Sequence, residues 1–262
     1  MCYDVSFASG VNRITEYFPG IDMNQVQMDP ALMLHIQAQA YRKYPVVLLK
    51  DEGYQLHQFE WGIIAEYMDT PEKIKKSRAS MCNARSEKIF DDKKSYWYRI
   101  RKQRCLVPVT GIFEHREVKG FKNKIPYFIR LKSRELFFLP GLYHYPQKAD
   151  VETGEVTGTF TIVTRAANSL MQQIHNSGDQ AFRMPLFLTR DLEKEWLKND
   201  INEDQLRHII NFEMSSDELE YFPVYTIRTT KERPDGLGKT DPYPWQGLPV
   251  LGTDSAQPSL FS

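Results

Sequence analysis

Apolar positions along this 262-residue chain gather in short β-branched and aromatic runs separated by turn residues. Eight such runs read as strands: "PVVLLK" (45–50), "FEWGII" (59–64), "CLVPVTGIF" (105–113), "PYFIRL" (126–131), "LFFLPGL" (136–142), "TFTIVTR" (159–165), "PLFLT" (185–189) and "YFPVYTI" (221–227). Helical patterns fall between them. "MNQVQMDPALMLHIQAQAYRK" (23–43) predicts one helix, with Pro30 marking its start. Thr70 before Pro71 reads as a cap with proline at the first helical position, and Asn202 with Gln205 reads as a capping box opening "NEDQLRHIINF". Several strands follow one another with no helix between them, which predicts an α+β domain on a mostly antiparallel, barrel-like sheet rather than a doubly wound fold. That domain spans residues 1–233, and from 234 to 262 the chain becomes a turn-rich, non-periodic tail.

Composition narrows the classes. A hydrophobic content of 41% supports a real core, and 34 basic against 34 acidic residues exclude a nonspecific polyanion binder. No apolar run reaches membrane-spanning length, and "MCYDVSF" lacks a signal-peptide pattern, so a cytoplasmic protein is expected. The three cysteines, Cys2, Cys82 and Cys105, are odd in number, far apart and without C-x-x-C pairing. Neither a disulfide framework nor a metal site is expected from them, and no cofactor signature is present. Charge is nonetheless uneven: Lys93, Lys94, Arg99, Arg101, Lys102 and Arg104 interleave with Tyr96, Trp97 and Tyr98. Cations with aromatic faces suit single-stranded nucleic acid, although alone the segment reads as a solvated amphipathic helix.

Candidate chemistry begins at residue 2. Methionine removal would leave Cys2 with a free α-amine near pKa ~8 beside a thiol near ~8.5. An aldehyde meeting that pair can form an imine and then a five-membered thiazolidine, closed with an effective molarity on the order of 10⁵ M. In "MCNARSE" (81–87), strand alternation puts Asn83, Arg85 and Glu87 on one face and Cys82, Ala84 and Ser86 on the other. An amide, a guanidinium and a carboxylate in register can hold an amine, a phosphate and a base. Glu114 ends a buried apolar run, where desolvation raises a carboxyl pKa and fits it to shuttle protons. His175 follows the helical "ANSLMQQI", a position that favours imidazolium and proton donation.

These pieces occur in a known order. N-terminal "MC", "WG" at Trp61, "NARSE" at Asn83, "RCLVPVTGIFEH" at Arg104, "PYFI" at Pro126, "GLY" at Gly141, "TIVTRAAN" at Thr161, His175 and "RMP" at Arg183 resemble SRAP (SOS response-associated peptidase) proteins. The resemblance covers residues 2 to about 230 and implies an abasic-site processing protein that crosslinks itself to damaged single-stranded DNA. It implies Cys2 as nucleophile, Asn83 holding the amine and adduct, Glu114 shuttling protons and His175 assisting sugar ring opening. Arg85 and Arg183 are the implied phosphate and DNA contacts, with Trp61, Tyr67 and Pro45 completing that surface. Autoproteolytic exposure of Cys2, β-lyase activity and crosslink reversal are implied as well, in a monomer acting near the nucleoid at damaged forks. The chain also departs from the pattern: Tyr3 and Asp4 replace the family's Gly-Arg, putting an anion where a phosphate-binding cation is expected. "NSGDQAF" (176–182) also lengthens the spacer between His175 and Arg183.

Two other classes fit parts of this pattern. An N-terminal-nucleophile cysteine amidohydrolase would also expose Cys2, and a non-enzymatic single-strand binder would use only the basic-aromatic surface. The terminal "AQPSLFS" resembles the bacterial sliding-clamp-binding peptide, with Gln257 at the pocket rim and Leu260 and Phe261 in an apolar cleft.

Overall fold

The computed structural model describes residues 2–23, 26, 33–51, 53–147, 154, 156–229 and 232–253. Two sheets carry the fold. The first has five strands in the order β12-β8-β7-β1-β2, built from Leu219–Pro223, Ile125–Leu131, Gly111–Arg116, Asp4–Ser6 and Ile36–Gln37, and all its pairings are antiparallel. The second runs β11-β10-β4-β3-β6-β9, from Arg183–Pro185, Thr159–Ala166, Gly53–Trp61, Lys43–Lys50, Arg104–Val109 and Phe137–His144. Because β9 also pairs with β10, this sheet closes on itself as a ring. Closure removes two exposed edges, which suits strands buried along most of their length.

Strand β10 is the hub. Its Thr159 and Phe160 pair in parallel with Glu60 and Trp61, and Ile162 to Thr164 pair in parallel with β5 (Asn83–Arg85). Among the described residues the other pairings between named strands are antiparallel. Gly141 is required where β9 meets β10, since a Cβ there would lie 2.6 Å from the Thr161 carbonyl oxygen and 2.8 Å from Cys105 Sγ.

Helices sit around this frame. α1 (Ile14–Tyr17), α3 (Ser86–Phe90), α4 (Tyr96–Arg99) and α5 (Ser169–Ile174) are short. α2 (Pro71–Ser77) has the expected Thr70 cap, and α7 (Glu203–Asn211) the expected Asn202–Gln205 capping box. α6 (Arg190–Leu197) packs Trp196 inward, its indole donating to the carbonyls of Cys105 and Gly141. Among the described residues no helix is long and apolar enough to cross a membrane.

Four expectations are corrected by this architecture. The helix predicted over 23–43 is replaced, within its described part, by strand Ile36–Gln37 and a 3-10 turn at Ala38–Ala40, because Ile36 and Gln37 pair with β1. "CLVPVTGIF" is two strands: at Thr110 the chain leaves the ring and enters the first sheet, anchored by the Thr110 amide donating to the Ser6 carbonyl at 2.7 Å. "PLFLT" contributes only Pro185 to β11, and α6 begins directly after Thr189. The turn-rich stretch from 234 has no helix or strand through Thr253, yet it packs back on the domain. Arg116 donates to the carbonyls of Pro249 and Val250, and the Trp245 indole donates to Val224.

Candidate active site

Cys2 lies two residues before the start of β1, a strand held between β7 and β2. The side chain is wholly buried, with Sγ directed to the Asp4 carbonyl at 3.8 Å. Burial, then the nearby Glu114 carboxyl, push the thiol pKa well above its ordinary value, so at neutral pH it is a thiol rather than a thiolate. The Asn83 amide, brought in by the pairing of β5 with β10, donates from Nδ2 to the Cys2 carbonyl at 2.9 Å. Its Oδ1 is buried and has no partner among the described residues. One end of the amide therefore grips the cysteine backbone while the other keeps an acceptor free for an amine N–H.

Glu114 comes from β7 and His175 from the C-terminal end of α5, and the two meet with Oε2 4.0 Å from Nε2. Burial raises the Glu114 pKa to about 8, against the opposing pull of the positive amine at the chain's N-terminus, which residue 1 carries. His175 is pushed the other way, to about 4, by burial and by that same amine. Its Nδ1 lies 2.8 Å from the Arg183 carbonyl, which can only accept, so the proton is on Nδ1 and Nε2 presents a lone pair. This reverses the role expected from a helix C-terminus. At neutral pH Glu114 holds the proton, His175 is the neutral base, and the close pair is not an ion pair. A helix of six residues has too little field to outweigh burial.

The DNA-contact residues expected from the sequence divide. Arg85, two residues from Asn83, is half-buried with its guanidinium donating to Gln180, and Tyr67 is 52% exposed with its hydroxyl 3.7 Å from Met81 Sδ. Arg183 sits beside them but is bound bidentately by Glu87 at 2.6 and 3.0 Å and donates to the Thr164 carbonyl. Glu87 itself is on α3 rather than on an extension of β5, since the strand ends at Arg85. Trp61 is a correction: it is buried, stacks on Phe160 at 5.8 Å and donates its indole N–H to the Cys82 carbonyl. Pro45 is another, buried in β3 opposite Gln58. Neither can touch a strand from there. Trp61→Ala is expected to lower stability by about 3–5 kcal/mol in denaturant unfolding, the cost of a large core cavity. In the basic-aromatic segment, Trp97 is buried and Arg104 is consumed by the carbonyls of Trp196 and Lys198, so only part of it is a surface.

The pattern along the chain missed the role of Asp4. It does not present an anion to solvent: it is buried, 2.7 Å from His35 Nε2 and bound by both Nε and Nη2 of Arg228. Those hydrogen bonds hold its carboxyl below the ordinary range despite burial. An aspartate inside a strand of buried side chains was the available signal, but its partners are distant in sequence. Among the described residues no group of three or more His, Cys, Asp or Glu is placed to hold a metal ion.

Chemically, this is a cysteine site served by a proton-carrying acid and a neutral base, set between two sheets of an α+β domain. The chain belongs to the SOS response associated peptidase (SRAP) family, whose model matches residues 1–227. It is 32% identical over 174 residues to the abasic site processing protein YoqW of Bacillus subtilis (strain 168), covering 66% of this chain and 70% of that protein. It is 28% identical over 186 residues to the abasic site processing protein YMR114C of Saccharomyces cerevisiae, covering 69% of this chain and 43% of that one. A crystal structure of a Bacteroides thetaiotaomicron protein superposes with a TM-score of 0.74 at 28% identity, over 92% of this chain and 97% of that one.

Proposed function

We propose that the chain, once Met1 is removed, captures abasic sites in single-stranded DNA as a covalent thiazolidine on Cys2. The observation that carries this reading is the Asn83 amide gripping the Cys2 carbonyl at 2.9 Å with its own oxygen left free, beside the Glu114–His175 pair. The names of the Bacillus and yeast relatives support it.

The ring-opened sugar presents an aldehyde at C1′. Because the thiol is held neutral, the unprotonated fraction of the amine attacks first: a C–N bond forms, Glu114 donates a proton to the departing oxygen, water leaves, and the iminium N–H returns a proton to Glu114 to give the imine. The Cys2 sulfur then adds to the same carbon, forming a C–S bond as its proton passes to the nitrogen. His175 Nε2 is the acceptor that relays protons during ring opening and returns them for reversal. Lyase chemistry and autoproteolytic release of Cys2 would use the same groups. Arg85 and Tyr67 face the strand, and Arg183 joins them when phosphate displaces Glu87. The clamp-peptide residues Gln257, Leu260 and Phe261 lie outside the described residues; a peptide of residues 252–262 binding a bacterial clamp would establish recruitment.

Incubating the mature protein with abasic and intact strands of equal sequence separates the alternatives. The expected result is a heat-stable adduct on a denaturing gel with the abasic strand alone. An amidohydrolase gives no adduct with either strand, and a passive binder retains both strands only on native gels.

A further inference from the structure

Arg228 lies just beyond the family match, yet it returns to the nucleophile's strand. Arg228 grips Asp4, two residues from Cys2, through Nε at 3.1 Å and through Nη2. Its side chain remains 44% exposed, and Nη1 makes no hydrogen bond among the described residues. Buried Asp4 thus acts as a fixed mount that points a cation outward beside the site.

Three residues before this cation in the chain, Tyr225 belongs to a cluster of three rings. Tyr225 lies 4.8 Å from Tyr243 and stacks on Trp245 at 6.0 Å, with Tyr243 and Trp245 5.2 Å apart. All three are half-buried, and the two tyrosines stand outside both apolar core clusters. The cluster is rigid. The Trp245 indole donates to the Val224 carbonyl at 2.9 Å, the Tyr243 amide donates to Pro223 at 2.8 Å, and Arg233 ties the loop through Asp235, Gly238 and Asp241. Of the two carboxylates of that loop, Asp235 is paired with Arg233 and Asp241 accepts from the Gly238 amide.

Partly exposed rings held by hydrogen bonds, with Arg233 over Tyr243 at 5.3 Å and Arg228 mounted on Asp4, offer what single-stranded nucleic acid requires: faces for bases and a donor for phosphate. Building on the single-stranded DNA reading above, we infer that Tyr225, Tyr243, Trp245 and Arg228 form a stacking platform for nucleotides on one flank of the captured site. Strand β12, which leads into the platform, lies three strands from β1, roughly 14 Å away at the usual strand spacing. The platform therefore engages a flanking nucleotide, not the reacting sugar. Arg228 gives Nε and Nη2 to Asp4 and keeps Nη1 to donate to a phosphate oxygen.

The test uses the full chain with Cys2→Ala, to keep binding noncovalent, and labelled oligothymidylates lengthened stepwise at either end. Trp61, Trp97 and Trp196 are buried, so Trp245 is the tryptophan placed to report base stacking. Affinity is expected to rise when the strand is extended on one side only, with quenching of tryptophan fluorescence. Trp245→Phe should abolish the quench, and Tyr225→Ala with Tyr243→Ala should weaken the long strand about fivefold or more while leaving the short one unchanged. Strands that bind without a one-sided gain or a quench overturn the platform alone. Failure of wild-type protein to bind or capture any single strand overturns the DNA reading with it.

Discussion

Glu114→Gln is expected to slow adduct formation by about 10²-fold or more while leaving the protein folded, as general acid–base groups typically contribute that much. Glutamine reproduces the shape of the protonated acid but has no proton to give. The rate should be read by quenched gel time courses on abasic single-stranded DNA, with circular dichroism to confirm the fold. A pH signature accompanies it. The folded pKa is about 8 against an ordinary 4.5, so between those values the folded state holds a proton that the unfolded chain has lost. Stability therefore falls as pH rises across that window and levels above it. The glutamine variant escapes this loss. Its melting midpoint should gain on the wild type progressively from about pH 5 to 8 and then stay level. The wild-type capture rate should also fall above about pH 8 as the acid loses its proton, a limit the pair sets jointly rather than either residue alone. A wild-type rate in Glu114→Gln would remove the carboxyl from the chemistry.

The second large effect is at the nucleophile. Cys2→Ser keeps the α-amine and the Asn83 grip on the backbone carbonyl, so the imine can still form. Ring closure through sulfur is lost, and with it an effective molarity on the order of 10⁵ M that holds the product together. The expected outcome is a heat-labile adduct visible only after borohydride trapping, against a heat-stable one for the wild type. An undiminished, borohydride-independent adduct in the serine variant would contradict the mechanism.

Much of the frame was legible because β-branched and aromatic runs declare strands locally: β3, β8, β9 and β10 lie where the runs place them. What failed were features decided by distant partners. The apolar run from Cys105 to Phe113 gives no local hint that it changes sheets at Thr110, since both halves are equally buried. Residues 36–40 follow β1 rather than helical spacing. At the site, β1, β5, β7 and α5 bring Asn83 to the Cys2 carbonyl and Glu114 to His175. The raised pKa of Glu114 was legible from its buried run, but the state of His175 was not. A helix end argued for a charged His175, and only its burial and the Arg183 carbonyl reveal a neutral base. Trp61 and Pro45 show the complementary error, in which a motif residue is kept for the core rather than for the ligand.

The chain has three cysteines, and Cys2, Cys82 and Cys105 are all free thiols. Counting reactive thiols in denaturant, before and after reaction with excess abasic single-stranded DNA, reads the proposed bond directly. Thiazolidine formation predicts a fall from three thiols to two in the crosslinked fraction, with the N-terminal amine blocked as well. A crosslinked protein that still titrates three thiols would contradict it.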